Sequence, residues 1–332
     1  MSNQKLRIAV IGTGGIAGHH MRNLKKIDQS EIAGTCDVEK PRAEKAAAEF
    51  GGKAYDNVEQ MLDREKPDAL LICTPPFARL DPIRAAVERR TPFFCEKPPA
   101  FSLDDAKKVQ AVVESKPIVH SVGFMYRHKE TTDRVKELLA GQTLVALRST
   151  FACGAILAPD FPAWFKLQDR SGGPMLDQAI HSIDLIRYIV GDVKTVHAFG
   201  SSRVVAKAPD VTVNDTINVA LEFENGLGGT HNHSWASRAG MGYGQAVIEI
   251  FCRDAQLLID LFDNSLTGQV RGMKVDYRPG DDCYVTELKR FIQAVRTNDA
   301  APIRSTYSDA VKTLAVCIAA NASAQTGKTV QL

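Results

Sequence analysis

The chain has 332 residues, of which 44% are hydrophobic and 24% charged, with a formal net charge of +2. That length exceeds one typical domain and predicts two. The near-neutral balance, without a long basic run, gives no basis for a nucleic-acid partner, and no apolar stretch reaches membrane-spanning length.

Cys36, Cys73, Cys95, Cys153, Cys252, Cys283 and Cys317 are scattered without a Cys-x-x-Cys, a pattern of reduced and mostly buried thiols. The N-terminus runs straight into the first strand, which leaves no room for a signal peptide, so a cytoplasmic location is expected.

The first element is a strand over Lys5–Ile11 with Leu6, Ile8 and Val10 on one face and Ala9 and Ile11 on the other. A strand apolar on both faces belongs inside a parallel α/β sheet. It leads directly into Gly12-Thr13-Gly14-Gly15-Ile16-Ala17, and a helix starts near Gly15 with Ile16, Leu24 and Ile27 on its apolar side. Strand, Gly-x-Gly-x-x-Ala turn and helix follow in the order a dinucleotide site needs. Gly12 permits the tight turn, Gly14 keeps a Cβ out of the pyrophosphate's way, and Ala17 lets the helix pack close. The helix N-terminus then offers its N–H groups to the phosphates.

The next strand, Glu31–Cys36, ends at Asp37, twenty residues after Ala17. A carboxylate there accepts from the adenosine ribose hydroxyls and repels a 2′-phosphate, so NAD is expected rather than NADP. Helices are predicted over Pro41–Phe50 (with Arg42 on its solvated face) and Val58–Arg64, then a strand over Ala69–Cys73 ending in Thr74-Pro75-Pro76. Asp81-Pro82 reads as the cap and first-turn proline of a helix to Arg90. Phe93–Cys95 is a strand ending in Glu96-Lys97-Pro98, Ser102 with Asp105 resembles a capping box for a helix to Ser115, and Ile118–Phe124 is a further strand. This alternation is a doubly wound, Rossmann-type parallel sheet over residues 1–125. Ligands gather at the carboxyl ends of its strands. There lie Gly12–Ala17, Asp37, Thr74–Pro76, Glu96–Pro98 and Met125–His128.

From about residue 144 the strands follow one another without helices: Leu144–Cys153, Val193–Val204, Thr212–Phe223, Gly228–Ser234, Gln245–Cys252 and Ala255–Leu261, apart from one helix over Pro174–Val190. Short turns such as Glu224-Asn225-Gly226 make an antiparallel sheet. Two helices, Val285–Arg296 and Ser308–Ala324, close the chain. Residues 126–332 are therefore expected to form an α+β substrate domain with a large, mainly antiparallel open sheet. Its last helices are free to pack back on the first domain. A second subunit is the usual cover for the open sheet face, giving a homodimer or homotetramer.

Lys97, between stiff prolines at a strand end, is the first candidate for chemistry, since an ammonium stabilises an alkoxide or carries a proton, and Glu96 beside it would orient it or the cofactor. Asp177 and His181, spaced i, i+4, share a helix face with Asp184 and Tyr188 further along, and a carboxylate beside an imidazole fixes the tautomer a general base requires. Ser171-Gly172-Gly173-Pro174 is the bend before that helix. Trp164 is equally placed to be a stacking wall for a sugar or a core anchor. His231 and His233 share a strand face without a third ligand spaced nearby, which favours a packed sheet face or subunit interface over a metal pair. His19 and His20 pack near the start of the first helix. Trp164, Lys166, Arg170, Trp235 and Arg238 offer aromatic and cationic groups to a hydroxyl-rich ligand.

The motifs Ile11–Ala17, Asp37, Thr74-Pro75, Cys95-Glu96-Lys97-Pro98, Gly123-Phe124-Met125-Tyr126-Arg127 and Gly172–Asp184 resemble, over essentially the whole chain, the glucose–fructose oxidoreductase / inositol dehydrogenase / MocA family. The resemblance implies NAD(P)-dependent oxidation or reduction of a sugar, cyclitol or similar polyol. It also implies a catalytic set of Lys97, Asp177 and His181, with Tyr126, Arg127 and Trp164 added to the substrate contacts. Gly12, Thr13, Gly14, Gly15, Ile16, Ala17, Asp37, Thr74, Pro75, Glu96 and Lys97 fall to the cofactor.

Two positions depart from the pattern. Arg79 stands where many relatives carry histidine, and a cation there would alter how the nicotinamide or a substrate is held, or bind an anionic substituent. Pro99 replaces an aliphatic residue. Other readings of the same fold are a redox-neutral, NAD-assisted sugar-cleaving enzyme, a non-catalytic nucleotide- or sugar-binding regulator, and a reductase of a non-sugar imine or enone.

Overall fold

The computed structural model describes residues 4–237 and 245–332. Two compact units divide the chain: one runs to His128 and takes in Asp282–Val311, and the other comprises Lys129–Asp281 and Lys312–Leu332. The first unit thus reaches forward along the chain to take in a later segment.

In the first unit, β1 (Leu6–Ile11), α1 (Gly15–Leu24), β2 (Ser30–Cys36), α2 (Lys40–Phe50), β3 (Lys53–Tyr55), α3 (Val58–Glu65), β4 (Ala69–Ile72), α4 (Leu80–Glu88), β5 (Phe93–Glu96), α5 (Leu103–Glu114) and β6 (His120–Gly123) alternate, with β3 a short strand that the sequence reading does not contain. All strands pair in parallel in the order β3-β2-β1-β4-β5-β6. The order reverses between β1 and β4, and that is where a doubly wound sheet opens a crevice. Leu6, Ile8 and Val10 pack against Met21 and Leu24 of α1 and against Leu288, Phe291 and Ile292 of α9 (Cys283–Thr297). This apolar stripe is why α9 belongs to the first unit.

Local chemistry explains most boundaries. The Asp105 N–H donates to Ser102 Oγ at 3.1 Å, capping α5. α4 begins two residues earlier than the Asp-Pro pair predicts, at Leu80 with Arg79 as its N-cap, because the 3₁₀ turn Pro76–Ala78 runs on almost directly into it. Asp81 and Pro82 then lie inside the first turn, where a missing N–H costs nothing. Ile16 is 37% exposed rather than part of the buried stripe, since the first turn of α1 lies beyond the strand ends, and Ile27 is buried past the helix end.

The second unit contains α6 (Glu130–Leu139), β7 (Leu144–Ala152), α7 (Gln168–Ser171), α8 (Ile180–Val190), β8 (Val193–Ser201), β9 (Thr216–Phe223), β10 (Gly228–Ser234), β11 (Gln245–Cys252), β12 (Ala255–Asp260), β13 (Ser265–Val270), β14 (Met273–Tyr277) and β15 (Val330–Gln331), with most of α10 (Tyr307–Thr326). Nine strands form one sheet, β14-β13-β12-β11-β7-β10-β9-β8-β15, antiparallel except where β10 lies parallel to β7. β8 and β9 are shorter than the apolar pattern predicts. The Asp215 carboxylate takes the Val204 and Val205 N–H groups at 2.9 and 3.0 Å and holds the intervening chain as a loop. β13 and β14 escape the sequence reading because both are short, and β14, although Met273, Val275 and Tyr277 alternate with Lys274 and Asp276, is an exposed edge. Their two-residue turn uses Arg271 and Gly272, both at positive φ, in place of the usual Asn-Gly.

His231 and His233 lie on the inward face of β10, both essentially unexposed. The parallel register sets His231 opposite Ser149, and its Nδ1 lies 2.8 Å from the serine oxygen. Among the described residues, no group of three or more histidine, cysteine or acidic side chains is placed to hold a metal, and no helix is long and apolar enough to cross a membrane.

Burial lowers the His231 imidazole to about 4 and pushes His233 well below its ordinary value. A histidine whose folded pKa lies below its unfolded value leaves stability intact above about pH 6.5 and erodes it as pH falls toward the folded value, by about 1.4 kcal/mol per unit when fully engaged. The melting temperature is therefore expected to fall between pH 6.5 and 4, and less steeply in His231→Asn. Coincident slopes for the two proteins would exclude this histidine as a cause.

Candidate active site

The first unit gathers its site at the strand ends. Gly12 has φ +81°, and a Cβ added there would lie 2.8 Å from Thr74 N and 2.9 Å from the Cys73 carbonyl carbon. Any side chain would force the ends of β1 and β4 apart. Gly12 N–H donates to Cys36 O at 2.8 Å, which brings the turn beside the end of β2. Thr13 then donates both its N–H and its hydroxyl to Asp37 Oδ2 at 2.9 Å, and Glu39 N–H donates to Oδ1 at 3.0 Å. A carboxylate offers about four acceptor sites. Three are taken, so the group is fixed in direction and keeps one for a hydroxyl. Thr13's grip on Asp37 was not legible from spacing alone.

α1 starts at Gly15 with Gly14 as its N-cap and no side-chain cap, and a Cβ on Gly14 would meet nothing within 4 Å. Gly14, Gly15 and Ile16 are exposed, while Ala17 is fully buried against the sheet. Uncapped helix N–H groups, open space at Gly14 and a fixed acidic group at the end of β2 are what a dinucleotide's pyrophosphate and ribose require. The residues present fit NAD.

The loop after β4 carries Thr74 and Pro75, with Thr74 Oγ1 donating to Ala78 O at 2.9 Å. β5 ends in Glu96, and the Lys97–Pro98 peptide is cis. Glu96 is 5% exposed, its Oε1 lies 2.5 Å from His20 Nε2, and its Oε2 accepts Lys97 N–H at 3.0 Å. Burial alone would raise the Glu96 carboxyl, but His20, Lys97 and Arg79 outweigh it and hold the group below its ordinary value. Lys97 is half-buried. Pro99 loses only an N–H, and its carbonyl accepts the Tyr307 hydroxyl at 2.9 Å.

Two expectations are corrected. Arg79 is 2% exposed, and its guanidinium donates to Thr74 O, Cys95 Sγ, Glu96 O and Lys97 O. With its donors spent on buried protein acceptors, it is not a site for an anionic substituent. Arg127, in the 3₁₀ turn Met125–His128, is also 2% exposed. It donates to Arg304 O at 2.7 Å and pairs with Asp309 Oδ2 at 2.6 Å, so it braces the turn instead of facing a ligand. Tyr126, in the same turn, is 9% exposed.

The second unit holds Asp177 and His181. Gly172 and Gly173 sit at φ +71° and +67°, and a Cβ on Gly172 would strike Leu176 at 2.4 Å, so the predicted bend needs both glycines. The helix that follows is not uniform. Met175–Ala179 is a π turn, and only from Ile180 does α8 run as an α-helix. Asp177 lies in the π turn, half-buried, and His181 is 8% exposed. Gln178 is pinned beside Asp177, its Oε1 accepting the Trp235 indole N–H at 2.8 Å and the Cys153 thiol at 2.9 Å. Asp184 does not continue an open stripe. It is 1% exposed and accepts from Thr313 at 3.0 Å. Of the two tryptophans, Trp235 is the fully buried anchor, whereas Trp164 is 40% exposed over Phe165, ring centroids 3.9 Å apart. Arg238 lies outside the described residues.

Comparison with known proteins agrees with both halves. Residues 6–124 match a family model described as an oxidoreductase family with an NAD-binding Rossmann fold, and residues 133–258 match a GFO/IDH/MocA C-terminal domain. A myo-inositol 2-dehydrogenase of Thermotoga maritima is 30% identical over 89% of each chain. A scyllo-inositol 2-dehydrogenase (NAD+) of Bacillus subtilis is 28% identical over 99% of this chain and 96% of its own. A levoglucosan dehydrogenase solved with NADH superposes with a TM-score of 0.89 over 99% of each chain at 20% identity, a likeness of fold.

Replacing Asp37 by serine is expected to weaken NAD binding roughly tenfold or more, the worth of a hydrogen bond to a charged group, and to leave NADP binding unchanged or stronger. Titration of both nucleotides checks this, and an unaltered NAD-to-NADP ratio would remove Asp37 as the discriminator.

Proposed function

The chain belongs to the Gfo/Idh/MocA oxidoreductase family, and from that membership we propose that its substrate is a hydroxyl of a sugar, cyclitol or related polyol. It is an NAD-dependent oxidoreductase acting on CH–OH groups. The observation that carries the reading is Lys97: a half-buried ammonium-bearing side chain on a loop fixed by Glu96, at the carboxyl end of β5 in the sheet whose switch point forms the dinucleotide cradle. The dehydrogenases of inositols and levoglucosan among its relatives and structural neighbours support the substrate class.

When bound, NAD supplies the hydride acceptor, held by the N–H groups of the Gly12–Ala17 turn, by Asp37 and by the Thr74-Pro75 loop. His181, oriented by Asp177, takes the hydroxyl proton, while Lys97 stabilises the oxyanion that develops as the C–H bond breaks. Tyr126 and Trp164 are the remaining substrate contacts, Trp164 as the flat wall for a ring. We also place the protein in the cytoplasm, where its seven cysteines stay reduced, as a homodimer or homotetramer built on the open face of the nine-stranded sheet. That sheet leaves Phe199 65% and Met273 68% exposed.

Offered NAD and a panel of sugars, cyclitols, anhydrosugars and sugar acids, the protein should form NADH with one of these groups. Absorbance of the reduced nicotinamide reports it, and silence across the panel with NAD bound would defeat the polyol reading. His181→Ala and Lys97→Ala are each expected to lower turnover roughly 10²- to 10⁴-fold. Near wild-type turnover at saturating NAD in either variant would reject that residue's role. Phe199→Glu should shift the sedimentation coefficient toward the monomer, and an unchanged value would move the interface elsewhere.

A further inference from the structure

Arg79 is a cation 2% exposed. Burial of a charge is unfavourable unless its donors find acceptors, and the acceptors here follow a pattern. Nε donates to Thr74 O at 2.8 Å, Nη1 to Glu96 O and to Cys95 Sγ, and Nη2 reaches Lys97 O at 3.4 Å. Three of the four are backbone carbonyls, one from the loop after β4 and two from the end of β5 and the residue after it. The ladder between these strands ends at Ile72–Cys95. Past that rung, the guanidinium joins the two loops much as further backbone pairs would have done. A planar fork of five N–H donors spans such a set, and neither an ammonium nor an imidazole does. Glu96 reinforces the arrangement from the other side, its carboxylate accepting Lys97 N–H while His20 holds its second oxygen.

We infer that Arg79 is a positioning residue for Lys97, setting the lysine's backbone against the Thr74 loop of the cofactor cradle. The role in turnover rests on the proposed part of Lys97 in hydride transfer. The link between the loops does not.

Arg79→Met, Arg79→Lys and Arg79→His should be compared with Lys97→Met, measuring kcat, KM for the polyol, the NADH dissociation constant from nicotinamide fluorescence, and amide exchange of the segment holding Lys97. Arg79→Met is expected to lower kcat about 10²-fold, the cost of a small misplacement of a reacting group, with little change in polyol KM, weaker NADH binding and faster exchange around Lys97. Arg79→Lys should recover part of kcat, and less is expected of Arg79→His. Any of the three that folds and keeps kcat, NADH affinity and exchange within twofold of wild type overturns the inference. So does a variant that is only less stable, with kcat unchanged below its melting temperature. Turnover retained in Lys97→Met would instead defeat the reading of Lys97, and the exchange and NADH measurements would still decide whether Arg79 holds the loops.

Discussion

The close passage of Gly12 over the start of the Thr74 loop is the constraint on which the first unit's cradle depends. β1 and β4 are neighbours across the point where the strand order reverses, and their ends must separate to leave a crevice while their backbones still touch. A Cβ at Gly12 would sit 2.8 Å from Thr74 N. Because this passage is possible, the turn reaches the end of β2, Thr13 reaches Asp37, and α1 begins with its N–H groups uncapped. The cradle is therefore one structure and not a set of separate ligands, and its geometry depends on a side chain that is absent.

Buried charge stiffens the remaining loops. Arg79, Glu96 and Arg127 are each at most 5% exposed, and each is satisfied by backbone carbonyls, backbone N–H groups or opposite charge. Such groups are unfavourable when left unpaired and rigid when fully paired. They serve the site by fixing backbone: Glu96 through the Lys97 N–H, Arg79 through the Thr74, Glu96 and Lys97 carbonyls, Arg127 through Arg304. In the second unit the same task falls to a neutral network. The Trp235 indole and the Cys153 thiol hold Gln178, one residue beyond Asp177, in a π turn of the kind often found at functional positions.

Three side chains show the difference between a residue type and its use. Arg79 and Arg127 both have the chemistry of an anion ligand, and both spend it inside the protein. Asp184 stands on the same helix as His181, yet it faces Thr313 in the interior. Trp164 and Trp235 are alike in sequence terms, but one is 40% exposed and the other fully buried.

Local and periodic features were determined by the sequence alone. These include the strand–turn–helix of the first loop, Asp37 at the end of β2, the Ser102 cap, the exact span of β10 and the doubly wound class of the first unit's sheet. Each rests on near neighbours in the chain, on φ preferences, on capping or on a repeat of two or of about four residues. The tertiary structure decided the rest. Which donors of Arg79 and Arg127 remain open depends on carbonyls brought from distant loops. The π turn at Asp177 depends on Gln178 being held by Trp235, 57 residues away. The inward placing of His231 is completed by the register of β10 on β7, where Ser149 meets it. An edge strand such as β14, short and exposed although Met273, Val275 and Tyr277 alternate with polar residues, is revealed only by its pairing. Burial and long-range hydrogen bonding are properties of the folded whole, and a linear pattern does not contain them.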